Sequence, residues 1–350
     1  MRVPVRLLVS AVTVAALVPV FLLFSGSWRS KPHRDSAFSN ALHMGSHVLT
    51  TPSEHSSTAK PHSHPRVSPE QWRNHIQTSC RKFGFIAEKD TFDPSILKNS
   101  KILVDDNNKL LYCQIPKVAS TTWRRIFIVL SGKADTSDPM SLSANDVHHK
   151  FDKHLTHLRK YQNDEILYRL NNYFKFVFVR EPFERILSAF KNKFAANTNS
   201  SIYFRKVFGE KIIDRYRQNP LANPGRNLTF EEFINYLTDP QKQIPMNEHW
   251  EKYYKLCHPC WIQYDFIGKL ETLEEDSQYI LEKNSLSEKV KVPSRLDSKY
   301  TYKKTNSYMH EYYSQIPKET LQKIFKMYYA DFVIFNFTVP DSIKLMMDGH

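Results

Sequence analysis

The chain has 350 residues, of which 41% are apolar and 13% aromatic, so it can bury a sizeable core, and its length predicts about two domains. This composition excludes wholesale disorder, collagen and coiled coil. The 49 basic and 36 acidic side chains leave a formal charge of +13, which indicates an acidic partner: a phosphorylated cofactor, a sulfated or uronic-acid polymer, nucleic acid or a membrane surface. Only 8 glycines are present, which counts against a glycine-rich phosphate loop.

An uncharged apolar run of 18 residues, Leu7–Phe24, lies near the N-terminus. As a helix it would span about 27 Å, close to the hydrocarbon thickness of an early secretory membrane. We therefore predict a cytoplasmic tail at 1–6 and a transmembrane signal-anchor at 7–24. A cleaved signal peptide is the alternative, because the small residues Ser25–Ser27 follow the run. Basic residues flank the run on both sides, so we infer a lumenal orientation from the bulk of the chain that follows it.

The segment 25–71 is rich in Ser, Pro and His and shows no helical or strand period, which predicts a disordered lumenal stem. Its histidines are irregularly spaced and have no acidic or cysteine partners nearby, so we assign them no metal. Residues 72–350 then form one large folded domain.

A lumenal domain would meet the glycosylation machinery and an oxidising environment. Acceptor sequons begin at three asparagines: Asn199, Asn227 and Asn336. In such a compartment we expect disulfides rather than metal ligation at the four cysteines: Cys80, Cys113, Cys257 and Cys260. All three pairings remain open.

The first segment that carries chemistry lies between residues 101 and 132. Lys101–Asp105 and Leu110–Ile115 predict a hairpin, and apolar residues at helical spacing from Trp123 predict an amphipathic helix that ends near Gly132. A short loop joins them and enters the helix: Pro116, Lys117, Val118, Ala119, Ser120, Thr121, Thr122 and Trp123. A loop between a strand and a helix directs free N–H groups at an anion, and Lys117 adds a mobile positive charge. The alternative is a purely structural role, in which a Ser or Thr caps the helix and Lys117 is a surface lysine.

A second strand-to-helix unit repeats this plan. Lys175–Val179 predicts a buried strand, and Pro182 opens the helix that follows it. Arg180 at the junction and Ser188 on the polar face of the helix could hold a second phosphate. For Ser188 alone, a solvated polar face is the alternative.

These two units resemble the donor motifs of the Golgi carbohydrate sulfotransferases. Pro116–Trp123 is similar to their 5′-phosphosulfate loop, and Val179–Phe190 to their 3′-phosphate motif. Further matching segments are Asn247–Trp250, Leu256–Cys260, Gly268–Asp276 and Asp331–Asn336. The resemblance covers about residues 76–340. It is greatest to the chondroitin and dermatan N-acetylgalactosamine 4-O-sulfotransferases.

The resemblance implies an α/β fold, P-loop-like, with a central parallel sheet flanked by helices. It also implies a single-pass type II Golgi membrane enzyme that uses 3′-phosphoadenosine 5′-phosphosulfate (PAPS) and no metal. Lys117 would contact the 5′-phosphate and the bridging oxygen, and Arg180 with Ser188 would hold the 3′-phosphate. The acceptor would be a glycosaminoglycan or glycoprotein glycan, with no nucleic acid; the oligomeric state is left open.

Among acceptors we favour the 4-hydroxyl of N-acetylgalactosamine in chondroitin, with dermatan, terminal N-acetylgalactosamine and glucuronic acid as alternatives. A base that titrates near neutral pH would speed attack by a sugar hydroxyl. We assign this role to His249, because Glu248 could hydrogen-bond to it and Trp250 could form an aromatic wall for a sugar. His148 and Glu248 are the substitutes, and a core histidine bonded to backbone is the structural alternative.

Two other classes of protein share some of these features. A metal-dependent glycosyltransferase needs carboxylates placed together, whereas Asp105 and Asp106 are adjacent in the chain and Glu274–Asp276 falls in a predicted helix. A lumenal glycan-binding protein without catalytic activity would need neither anion site.

Overall fold

The computed structural model describes residues 67–87, 91–218, 227–294 and 305–349. The predicted tail and anchor and most of the predicted stem lie outside the described residues. No helix in the described ranges is long and apolar enough to cross a membrane.

The described residues form a mixed α/β fold. The strands are β1 Ile102–Asp105, β2 Leu110–Cys113, β3 Thr156–His157, β4 Phe174–Val179 and β5 Phe266–Lys269. The helices are α1 Pro69–Lys82, α2 Ser120–Leu130, α3 Ala144–His148, α4 Asn163–Asn172, α5 Pro182–Phe190, α6 Asn199–Phe204, α7 Glu210–Tyr216, α8 Phe230–Thr238, α9 Tyr253–Cys257, α10 Leu273–Lys283, α11 Met309–Tyr313, α12 Lys318–Ile334 and α13 Asp341–Asp348. Single π-helical turns at Lys191–Ala195 and Arg205–Gly209 lie on either side of α6.

The strands form one sheet in the order β3-β1-β2-β4-β5. The predicted hairpin is confirmed as the antiparallel pair β1–β2, and β3 also pairs antiparallel with β1. The predicted parallel arrangement is confirmed only for β2, β4 and β5. A four-residue turn returns the chain antiparallel, so β1 could not join the parallel set. Asp105 accepts hydrogen bonds from the backbone and side chain of Asn108 and closes that turn.

Aromatic packing holds α2 against the sheet. The ring of Trp123 lies 4.4 Å from that of Phe176 and 5.7 Å from that of Phe178. On the neighbouring strand, a Cβ atom at Gly268 would lie 2.4 Å from the Phe178 ring, so only glycine fits there. A second apolar cluster, formed mainly by α5, α8 and α12, buries the predicted stripe of α5.

The four cysteines form two disulfides, as predicted from the expected compartment. Cys80 pairs with Cys260, and Cys113 pairs with Cys257. The second bond joins the end of β2, shortly before the predicted anion loop, to the last residue of α9. The structure therefore selects one of the three pairings that the sequence left open.

Candidate active site

The two predicted anion loops lie at the same edge of the sheet. β2 and β4 are parallel neighbours, with Cys113 opposite Val177, so the loops that follow both strands leave from their carboxyl ends. This edge is where open α/β sheets bind ligands. The topology thus brings together two segments that are more than 60 residues apart in the chain.

The first loop adopts an unusual backbone conformation. Lys117 and Ala119 have φ values of 74° and 61°, in the left-handed region that favours glycine. Ala119, rather than a serine or threonine, occupies the N-cap position of α2, and no side chain among the described residues caps this end. The alternative prediction of a Ser/Thr helix cap is therefore wrong. The first N–H groups of α2 are left for another acceptor.

A buried arginine holds this loop in place. Arg185 is 1% exposed, and its Nε donates to the carbonyl oxygen of Pro116 at 3.2 Å. Its other nitrogens donate to the carbonyl oxygens of Glu248 at 2.8 Å and Glu251 at 2.6 Å. Arg185 therefore joins the anion loop to the segment that contains His249. We did not predict this role, because Arg185 lies opposite the apolar stripe of α5, where the helical pattern indicates exposure.

Arg180 lies at the end of β4 and is nearly buried. Its Nε and Nη2 approach Glu184 Oε2 at 3.2 and 3.1 Å, and its Nη1 lies 3.4 Å from the Lys117 carbonyl oxygen. Ser188 is half-buried and follows Glu184 by four residues in α5, so these two side chains lie on the same face of the helix, and Glu184 on this face contacts Arg180. An anion that binds Arg180 here would compete with Glu184.

Lys117 lies in a positive environment. Desolvation, together with the charges of Lys193, Arg180 and Arg185, lowers the pKa of Lys117 to about 7. We did not predict that Lys193 would lie at this site. Its ammonium donates to Ser200 Oγ at 2.9 Å. It lies on a π-helical turn, a feature common at functional sites but not visible in a sequence pattern. Such a concentration of cations favours a ligand with several negative charges.

His249 is held by Asn247 rather than by Glu248. Its Nδ1 lies 2.6 Å from Asn247 Oδ1, and the same oxygen accepts the backbone N–H of His249 at 3.1 Å. These contacts identify the amide oxygen, so Nδ1 carries the proton and Nε2 is the basic, unprotonated nitrogen. The predicted hydrogen bond from Glu248 is wrong, because that carboxylate pairs with Lys101 Nζ at 2.7 Å.

The electrostatics of His249 also differ from expectation. Desolvation and the neighbouring charges of Lys193 and Lys117 lower the pKa of His249 to about 2, not near neutral. The predicted aromatic wall is wrong as well: Trp250 is 0% exposed and its indole N–H donates to the Tyr236 hydroxyl at 3.2 Å. The ring of Phe204 lies nearer to His249, at a centroid distance of 5.2 Å against 6.4 Å for Trp250.

The alternative base His148 lies beside the first loop. Its Nε2 is 3.2 Å from Thr121 Oγ1, in the first turn of α2, and the residue is exposed. The structure thus brings His148 and His249 to the same group of cations, since Lys193 lowers the pKa of both imidazoles in addition to desolvation.

Comparison with known proteins decides the class. Residues 100–338 match the family model described as "Sulfotransferase family". The chain belongs to the sulfotransferase family. The chain is 42% identical to carbohydrate sulfotransferase 11 of Mus musculus over 279 residues. This aligned region is 78% of this chain and 77% of that protein. Carbohydrate sulfotransferase 9 of Homo sapiens is 39% identical over 275 residues, which are 77% of this chain and 60% of that one. No solved structure was found to match.

Because the family model and these carbohydrate sulfotransferases match the chain, this protein is a PAPS-dependent carbohydrate O-sulfotransferase. The resemblance seen in the sequence is confirmed, and both competing classes are set aside. The site suits PAPS: the uncapped end of α2 and its surrounding cations suit a phosphosulfate, and Arg180 at the same sheet edge suits a separate phosphate. Within the described ranges, no group of three His, Cys, Asp or Glu residues could hold a metal ion, and the metal-free reaction stays a prediction.

We expect Arg180→Ala and Ser188→Ala to weaken binding of 3′,5′-bisphosphoadenosine (PAP). The arginine change should cost about 10- to 100-fold, because a charge-assisted contact contributes about 1.5–3 kcal/mol, and the serine change should cost less. Calorimetric titration of PAP measures both effects, with Arg180→Lys as the control that keeps the charge. Unchanged PAP affinity with a lower melting temperature would show that the two residues have only a structural role.

Proposed function

We propose that this sulfotransferase acts on the 4-hydroxyl of N-acetylgalactosamine in chondroitin. The observation that carries the proposal is the concentration of cations around an uncapped helix end at the sheet edge, with a positioned neutral imidazole beside it. The choice among acceptors rests on the resemblance of Asn247–Trp250 and Cys257–Cys260 to the chondroitin 4-O branch, and on the net charge of +13, which suits a uronic-acid polymer.

The donor is held by the two loops. PAPS supplies the sulfuryl group and leaves as PAP. Lys117 and the N–H groups at the start of α2, within the segment Pro116–Trp123, bind the 5′-phosphate and stabilise the negative charge that develops on its bridging oxygen. Arg180 and Ser188 bind the 3′-phosphate. Arg185 acts as a positioning residue, because it fixes the loop through the Pro116 carbonyl oxygen.

The acceptor hydroxyl loses its proton to Nε2 of His249. The bond to Asn247 keeps the proton of the free imidazole on Nδ1, so Nε2 is available as the acceptor. Desolvation is the largest cause of the low pKa of this imidazole, and the neighbouring cations lower it further. A bound anionic donor would neutralise these cations and so raise the basicity of the imidazole for the reaction.

The experiment that tests the proposal is transfer of labelled sulfate from PAPS to four acceptors: chondroitin, desulfated dermatan, a terminal N-acetylgalactosamine glycoside and a glucuronyl glycan. Disaccharide analysis should place the label on the 4-hydroxyl of N-acetylgalactosamine, with chondroitin preferred. Preferential labelling of another acceptor would contradict the proposed specificity and select one of the alternatives.

We also propose a single-pass type II Golgi membrane location with the domain in the lumen. Two disulfides among the described residues support it, since such bonds persist in oxidising compartments. The acceptor residues Asn199 and Asn227 are exposed, whereas Asn336 is half-buried and its carbonyl oxygen accepts from Lys269 at 3.3 Å.

We therefore expect glycans on Asn199 or Asn227 before Asn336 in protein made in cells. Glycosidase treatment should increase the electrophoretic mobility of the wild type, and Asn199→Gln/Asn227→Gln should remove most of that shift. Protein without any shift and with accessible thiols would contradict a lumenal location.

A further inference from the structure

A second basic surface lies next to the segment that follows α2. Its cavity of about 380 Å³ falls within the usual range for ligand pockets. We call it the basic pocket and define it by six of its lining residues: Lys133, Leu142, Lys150, Phe151, Lys153 and His154. No role proposed above uses these residues.

The lining combines an apolar floor with a cationic rim. Phe151 is buried, and the ammonium of Lys150 lies 5.0 Å from its ring centroid. Lys133, Lys150 and Lys153 are exposed, and none has a salt bridge within the described part of the chain. Asp135 also lines the cavity, but the three lysines outnumber this one carboxylate, so the net charge of the lining is positive. An acidic sugar fits this chemistry, because its ring can pack on the floor while its anionic group meets the rim.

Two arginines of α2 fix the walls of the pocket to the helix that begins at the donor loop. Arg125 Nε donates to the Leu142 carbonyl oxygen at 2.9 Å. Arg124, which is nearly buried, donates to the Val147 carbonyl oxygen at 3.2 Å and pairs with Asp152. The pocket is therefore held in a defined position relative to the donor site rather than on an independent loop.

The pocket is also close to the donor loop along the chain. His148 contacts Thr121 in the first turn of α2, and Lys150 and Lys153 follow two and five residues later. Five residues span at most about 18 Å, so the rim lies within reach of an oligosaccharide whose reacting sugar is at the donor site.

We infer that the basic pocket binds acidic sugars that flank the reacting residue, so that the enzyme recognises an extended uronic-acid-bearing chain rather than a single sugar. The inference rests on the proposed function for the class of acceptor and adds a binding site to it. A terminal N-acetylgalactosamine acceptor would gain nothing from such a pocket.

The test compares the double variant Lys150→Glu/Lys153→Glu with the control Lys323→Glu/Lys344→Glu. The control changes the net charge equally on α12 and α13, at exposed lysines. With the pocket variant, the KM for long chondroitin should rise at least tenfold, whereas kcat/KM for a disaccharide acceptor and the affinity for PAP should change less than twofold. Raising the ionic strength should reduce the difference between variant and wild type on the long chain.

Equal loss on both acceptors, equal loss in the control, or an unchanged KM for the long chain would each overturn the inference. A wild type that does not sulfate chondroitin would contradict the proposed function instead. Calorimetric binding of a chondroitin hexasaccharide then tests the pocket: a loss of affinity in the pocket variant but not in the control supports it, and equal affinities contradict it. Melting temperatures confirm that the variants are folded.

Discussion

Lys117→Ala is expected to reduce kcat about 10³-fold while the domain stays folded. The side chain provides the positive charge inside the Pro116–Trp123 loop, and removing one preorganised donor at a developing oxyanion costs about 10²–10³ in rate. Desolvation and three nearby cations already destabilise the ammonium, so its loss should not lower the melting temperature. Single-turnover kinetics with labelled PAPS, beside calorimetry with PAP, separate the effect on transfer from the effect on binding. A folded variant with wild-type turnover would refute the assignment.

The same lysine predicts a pH dependence of donor binding. Its pKa is about 7 in the free protein, and a bound polyanion stabilises the protonated form and raises that pKa. Affinity for PAP should therefore be full below pH 7 and weaken by up to about tenfold per unit between pH 7 and 9. Lys117→Arg should keep affinity constant over this range, because arginine stays protonated. An identical pH profile in both proteins would show that another group controls binding.

His249→Ala is expected to lower kcat by about 10²–10⁴-fold and leave PAP affinity unchanged, since general bases contribute rate enhancements of this size. The imidazole is half-buried against Phe204, and its Nε2 is the unprotonated nitrogen. Because the pKa in the free protein is about 2, kcat/KM of the wild type should not fall through a pKa near 6.5 as the pH drops. The measurement is a pH profile of kcat/KM for PAPS from pH 5 to 8 at limiting PAPS, so that the enzyme without bound donor is the titrating species.

Two matched variants separate His249 from its neighbours. Asn247→Ala removes the acceptor that holds the proton on Nδ1, so it should reduce kcat and spare PAP affinity. Glu248→Gln removes a carboxylate that pairs with Lys101 instead of the imidazole, so it should leave kcat nearly unchanged. If His249→Ala keeps near-normal turnover, the base is reassigned to His148 or Glu248.

Part of this architecture follows from the sequence by itself. The hairpin, both strand-to-helix units, the buried stripe of α5 and the disulfide-bonded state of the cysteines agree with expectation. Each depends on residues that are close in the chain or on overall composition: alternation defines a strand, a 3.6-residue period defines a helix face, and an N-terminal apolar run suggests the compartment. Loop Pro116–Trp123 could be located because its neighbours on both sides are strongly patterned.

The chemistry of the site was decided by the tertiary structure. Arg185 is buried by contacts with residues more than 60 positions away in the chain, and Trp250 is buried among aromatic rings of other segments, such as Phe208 and Phe233. Their helical or local patterns therefore indicated the wrong environment. The pKa values of Lys117 and His249 depend on Lys193, brought beside them by the packing of a π-helical turn. Selection of one cysteine pairing likewise required the meeting of β2 and α9. A sequence pattern records which side chains are apolar or charged, whereas electrostatic energy depends on distances and desolvation that exist only once remote segments have packed together.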